Sequence, residues 1–239
     1  MKNARADQMS DLLRRFLALV LMAGLIAPSW VPSRALAGSV PENGQIAFKV
    51  LMDGNDIGRH TLRFEPRGET LGVEVKIDFL VTFLNIPVYR YNHLNRETWT
   101  RDGQLLALES QTNDDGIIES ARVEKRGDRL VIDGSQNKMD APAAWLSSSY
   151  WNPKLLKQSK LIDSRNGQIF NIDVEPKGEE MISVEGRMVT AARYDLVGDL
   201  ELSLWYDRKN EWVKLAFNHM GRHFDYLRVA PETLTAINP

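Results

Sequence analysis

The chain contains no cysteine. Disulfides therefore cannot staple it, and thiolate chemistry, whether nucleophilic or zinc-binding, is excluded. A chain of 239 residues, 43% of them hydrophobic, must be held together by its core, which is feasible at this size. Histidine is scarce: His60, His93, His219 and His223 are the full set. No glycine-rich phosphate cradle occurs, which argues against nucleotide use. No Gly-x-Ser-x-Gly elbow occurs either, so Ser147-Ser148-Ser149 reads as turn and cap residues rather than as a nucleophile. Basic residues are outnumbered. After Ala37, 25 basic residues face 30 acidic ones, a net charge of about −5. That excludes nucleic acid as a partner, because phosphate binding needs a basic field, and it argues against broad adhesion to anionic lipid.

Long apolar runs are also missing, except near the N-terminus. Arg14 and Arg15 precede an apolar run over residues 16–26, Pro28 and Pro32 break it, and Ala35-Leu36-Ala37 offers a small-x-small cleavage site before Gly38. This is the three-part layout of a secretory signal peptide, expected over residues 1–37. The run falls short of the roughly 20 apolar residues that a spanning helix needs. Arg14-Arg15-Phe16-Leu17 resembles a twin-arginine signal but lacks the residue expected between Arg and Phe, which favours the general secretory route. With no lipobox cysteine and no other segment long enough to span, residues 38–239 are expected to form one soluble β domain in the periplasm.

What is present is alternation. Ile46, Phe48, Val50 and Met52 share one face of a strand; so do Leu71, Val73, Val75, Ile77, Phe79 and Val81, with Glu74, Lys76 and Asp78 opposite. Strict alternation of that length means one dry face and one wet face. Asp53-Gly54, Pro66-Arg67-Gly68, Asp114-Asp115-Gly116, Glu175-Pro176-Lys177-Gly178 and Asp207-Arg208-Lys209-Asn210 punctuate such runs at short intervals. The pattern predicts an all-β fold of roughly a dozen strands. The expected form is an antiparallel meander curled into a barrel or half-barrel.

One stretch departs from the pattern. Across residues 145–158, Asn152 is a good N-cap and Pro153 suits the first helical position, so a short helix is expected near 153–158. Trp145, Tyr150 and Trp151 ahead of it are large surfaces that must be buried or meet a ligand. Such a helix can plug a barrel end or cover a sheet. The strand over 88–100 is the other informative stretch. One of its faces reads Tyr89, Tyr91, His93, Asn95, Glu97, Trp99. A sealed core would have to supply partners for Asn95 and Glu97, whereas a wet or ligand-filled lumen would accept them.

The chemistry these residues permit is limited. His219 and His223 have zinc-like spacing, but they straddle a hairpin turn. With a two-residue Gly221-Arg222 turn, Met220 would pair with His223 and the two imidazoles would point to opposite faces. No carboxylate supplies a third ligand, so no metal site and no cofactor is expected. His93 and Glu97 share a strand face and would suit acid–base work if both were enclosed.

Taken together, the segments Asp53-Gly54-x-x-Ile57-Gly58, Ile86-Pro87-Val88-Tyr89-Arg90-Tyr91, Thr112-Asn113-Asp114-Asp115-Gly116, Tyr150-Trp151-Asn152-Pro153 and Leu204-Trp205-Tyr206 resemble an uncharacterised family of exported bacterial proteins, the domain of unknown function six-one-three-four. The resemblance spans nearly all of the chain after residue 37. It implies no activity and transfers no catalytic residue. The opening hairpin is similar to a broader group of periplasmic β proteins, which implies a curved antiparallel sheet.

Two functions are compatible with this reading. One is a non-catalytic protein holding an apolar or lipid-like, amphipathic small molecule in a hollow of at least about 300 Å³, with Tyr89, Tyr91, His93, Glu97, Tyr150, Trp151 and Asn152 as the candidate ligand-binding residues. The other is a hydrolase using His93 and Glu97. A structural envelope protein would instead show a filled interior and an exposed apolar patch.

Overall fold

Alternating runs separated by left-handed turn residues form hairpins, and here the hairpins join into one sheet. The structure, a computed structural model, describes residues 39–231. The expected signal peptide lies outside the described residues. The first eight strands are β1 (Gln45–Met52), β2 (Asn55–Arg67), β3 (Thr70–Phe83), β4 (Ile86–Thr100), β5 (Leu105–Asp114), β6 (Ile117–Arg126), β7 (Arg129–Gly134) and β8 (Lys138–Pro142). After them come β9 (Leu146–Ser147), β10 (Lys160–Ile162), β11 (Ile169–Val184), β12 (Arg187–Gly198), β13 (Leu202–Asp207), β14 (Trp212–His219) and β15 (Arg222–Arg228). Their order in the sheet is β8-β7-β6-β5-β4-β3-β2-β1-β15-β14-β13-β12-β11-β10-β9. All neighbours are antiparallel except β9 and β10, which run parallel. The all-β meander is as the alternation predicts. The sheet is curled but not closed, since β8 and β9 end the order without pairing.

The expected dozen strands become fifteen because β8, β9 and β10 are only 5, 2 and 3 residues long. Segments so short carry no alternation to read. The turn expected at residues 175–178 is instead a bulge inside β11, where the register shifts between Pro176 and Gly178. There β11 has run past its pairing with β10, which ends at Asn171, so Pro176 removes no ladder bond on that side.

Antiparallel order puts the turns at 53–54, 84–85, 115–116, 163–168 and 220–221 at one end, here called upper, and those at 68–69, 101–104 and 208–211 at the lower end. The lower half of the concave face is packed solid. Trp151 lies edge-on to Trp99 at 5.2 Å and to Phe64 at 5.3 Å, and all three are buried. The expected helix is a 3₁₀ helix, Pro153–Lys157, capped by the Asn152 side chain, which accepts from the Lys154 N–H at 3.1 Å. Asn152 Nδ2 also donates to the Gly103 carbonyl at 3.1 Å, fastening this segment to the lower turn. The outer face carries a smaller apolar cluster of Ala191, Trp205, Val213 and Ala216 beneath Ile182 and Val184 of β11. Among the described residues no helix is long and apolar enough to cross a membrane.

Side chains and a loop draw the open sides of the curl together where ladder bonds do not. The 163–168 loop lies across β5, β6 and β7. Ser110 Oγ donates to the Ser164 carbonyl, Asn166 Nδ2 donates to Glu119 Oε1 at 2.9 Å, and the Gln136 N–H donates to the Asn166 carbonyl at 3.1 Å. Gly134 permits this approach: a Cβ there would sit 2.0 Å from the Asn166 carbonyl oxygen and 2.6 Å from its carbon. Both atoms are backbone, so relief requires the loop to move. Gly134→Ala is therefore expected to lower unfolding free energy by about 2–3 kcal/mol, read as a drop in the urea midpoint.

Candidate functional site

Cross-strand register places the concave-face residues in rungs. Glu97, Val73 and Phe64 form one; Asn95, Val75, Leu62 and Ile46 the next; His93, Ile77, His60 and Phe48 a third. Above them Tyr91 aligns with Phe79, and Tyr226 with Val50. The strand β4 thus presents its aromatic and polar face inward, with Tyr91, His93, Asn95, Glu97 and Trp99 all buried.

The rungs differ in what their polar atoms do. Glu97 Oε1 accepts from Asn95 Nδ2 at 2.9 Å and from Ser147 Oγ at 2.7 Å. Glu97 Oε2 accepts from Trp99 Nε1 at 2.9 Å and from Ser149 Oγ at 3.1 Å. Every lone-pair direction of the carboxylate is taken. Burial pushes its pKa up, and the four hydrogen bonds oppose that rise. Such a carboxylate is a tie between β4 and the 146–149 segment. It has no position left for a substrate proton.

His93 does not reach it. Four residues along a strand is about 13 Å, Asn95 lies between, and His93 Nδ1 shares its hydrogen bond with Thr112 Oγ1 at 2.8 Å. The acid–base pair read from the sequence is therefore not assembled: sharing a strand face did not bring the two side chains together. His219 and His223 also remain apart. The turn is Met220-Gly221 rather than Gly221-Arg222, His219 pairs with Arg222, and His223 pairs with Asn218. Among the described residues no three His, Asp or Glu side chains gather as metal ligands do.

The seven candidate residues divide into two groups. Glu97, Trp151 and Asn152 belong to the packed floor and are spent on structure. Tyr89, Tyr91, His93 and Tyr150 lie higher, around the upper mouth. Tyr89 and Tyr150 are half-buried, and Tyr89 donates to Asp114 Oδ1 at 2.7 Å. Sequence reasoning missed what completes this group. Phe217 and Phe224 stack at 4.7 Å, Phe217 meets Tyr226 at 6.1 Å, and Phe79 meets Tyr226 at 6.1 Å and Tyr91 at 5.6 Å. This continuous aromatic wall is half-buried at Phe79, Phe217 and Phe224. From the 163–168 loop comes Arg165, whose charge acts on Tyr89, Tyr91, His93 and Tyr150. Its only sequence signal is a polar turn, Asp163-Ser164-Arg165-Asn166-Gly167, which reads as a solvated loop.

Burial raises the Tyr91, Tyr150 and Tyr226 phenols, so they stay protonated. Burial also lowers His93 to about 4, helped by Arg165, and His60 to about 3, helped by His93. Two grooves open on the outside. One of about 310 Å³ lies beside Val88 and Tyr89, and one of about 500 Å³ lies around Ser203, Trp205 and Asp225. Neither is lined by residues of the packed floor. The hollow's floor is filled, contrary to the roomy interior expected, because residues 146–158 fold into it.

Two measurements test this account. His60 sits between Phe48, Trp212 and Tyr226, and neither ring nitrogen has a partner. Its folded pKa is depressed, so the stability it carries is present above 6.5 and is lost as pH falls towards about 3. His60→Leu should fall within about 1 kcal/mol of wild type near pH 7 and exceed it by about 3 kcal/mol near pH 4, by urea unfolding at both pH values. Glu97 has the opposite sign. Its raised pKa makes wild type lose stability as pH rises through the folded value. Glu97→Gln turns one acceptor into a donor facing donors. It should cost about 2 kcal/mol near pH 5, with the deficit shrinking at higher pH.

Comparison with known proteins agrees with the architecture. No curated protein matches the chain. Its fold is similar to the crystal structure of a beta-barrel-like protein of domain of unknown function DUF1849 from Brucella abortus, at 11% identity and a TM-score of 0.56, covering 77% of this chain and 94% of that one. At that identity the likeness is one of fold. The sequence itself matches the family described as Domain of unknown function (DUF6134) over residues 48–229, and the chain belongs to that family.

Proposed function

We propose that this is a non-catalytic periplasmic protein, exported by a signal peptide cleaved near Ala37, that holds an amphipathic small molecule at the upper mouth of its curled sheet. The observation that carries the reading is a mismatch of partners. The hydroxyls of Tyr91, Tyr150 and Tyr226 make no hydrogen bond to the described residues, although Tyr91 and Tyr226 are only 8% and 7% exposed. None of the three oxygens is sealed from solvent, so each opens towards the mouth as a donor that a ligand could take up. These three adjoin a half-buried aromatic wall, so the mouth offers both apolar area and unused donors, as small-molecule sites do.

The rim above the mouth supports the same reading. Phe83, Leu84, Ile86 and Val88 at the β3–β4 tip are 67%, 80%, 64% and 54% exposed, and Ile117 and Ile118 beside them are 67% and 59% exposed. No charged residue occurs over residues 81–89. Leu84 occupies a left-handed turn position, φ 51°, that favours glycine or asparagine. A filled floor and an exposed apolar patch are also what a structural envelope protein would show; the unused phenol donors beside the patch favour a lipid-like ligand. Native mass spectrometry of the protein released gently from its own periplasm is expected to show a co-purifying mass of lipid size. A bare polypeptide mass, together with no uptake of a fluorescent fatty-acid analogue, would overturn the proposal.

A further inference from the structure

Resting on that proposed function, we propose that the ligand carries a single carboxylate at the end of an apolar chain, and that Arg165 receives it. Asp163 is buried at 1% exposure and holds the Arg165 guanidinium along one edge: Nε donates at 3.1 Å and Nη2 at 2.7 Å. Arg165 Nη1 makes no bond to the described residues, so the outer edge of the fork is unused. Charge-assisted bonds from a guanidinium to a carboxylate are among the strongest available, and the planar fork fits that group.

The surroundings are rich in donors and poor in free acceptors. The Tyr91, Tyr150 and Tyr226 phenols remain protonated and can each donate. His93 is 3% exposed, neutral near pH 7, and keeps Nε2 free while Nδ1 engages Thr112. The nearby carboxylates are engaged: Arg165 occupies both oxygens of Asp163, Tyr89 donates to Asp114 Oδ1, and Asn166 donates to Glu119 Oε1. A head group that fits must therefore accept rather than donate. The Asp163–Arg165 pair is neutral overall, and Asp114 and Glu119 add negative charge around it, which disfavours a dianion such as a phosphomonoester and leaves a monoanion. The wall of Phe79, Phe217 and Phe224 gives the chain apolar area to cover, at roughly 25 cal/mol per Å² removed from water.

The test compares dodecanoate with methyl dodecanoate on the intact protein near neutral pH, using intrinsic tryptophan fluorescence and calorimetry. The acid should bind at least about tenfold tighter than the ester. Arg165→Gln alone strands a buried carboxylate and risks misfolding. The double variant Asp163→Asn/Arg165→Gln removes both charges, and it should lose the preference for the acid while binding the ester as wild type does. Equal affinity of wild type for acid and ester would overturn the head-group assignment and leave the amphiphile reading standing. Absence of binding by either compound would overturn both.

Discussion

A buried carboxylate surrounded by four donors joins the two sides of this molecule. Glu97 belongs to β4, near the middle of one half of the sheet, and two of its donors, Ser147 and Ser149, belong to the segment that leaves β8 and enters the hollow. Breaking such a tie leaves a charge in low dielectric, so the arrangement is all or nothing. Trp151 follows two residues after Ser149 and fills the space between Trp99 and Phe64. The packed floor and the 3₁₀ helix beneath it follow from drawing that segment inward.

The same segment addresses the problem of sheet edges. Fifteen strands in an open order expose two edges, and unpaired edges invite aggregation. One edge, β8, carries Lys138, Asp140 and Pro142, which discourage further pairing. The other, β9, is two buried residues in contact with the interior. The loop that continues from β10 lies over β5 to β7 and brings Arg165 to the mouth. The device that hides an edge thus delivers a cation whose charge acts on the tyrosine cluster. Stability and the proposed site share a single stretch of chain.

Much of this is legible in the sequence. The period-two runs gave the strands. The 88–100 stretch showed which residues share a face, and Asn152-Pro153 marked the cap and start of the 3₁₀ helix. Legibility failed in two kinds of place. Very short strands such as β9 and β10 have no period to detect. Loops whose residues look solvated, such as 163–168, can still be folded inward by partners far along the chain, as Ser110 and Glu119 do here. Glu97 and His93 failed for a related reason: a shared face is a local property, while reach depends on where the third dimension places the partners.

What the sequence by itself determined was alternation and most of the turn positions, because strand geometry is set by neighbouring residues. Only the tertiary structure decided that the floor is filled, that Glu97 is a tie and that the charge of Arg165 reaches the tyrosines. Each of those depends on hydrogen bonds between residues about fifty positions apart, and loop closure over such distances leaves no trace in local composition.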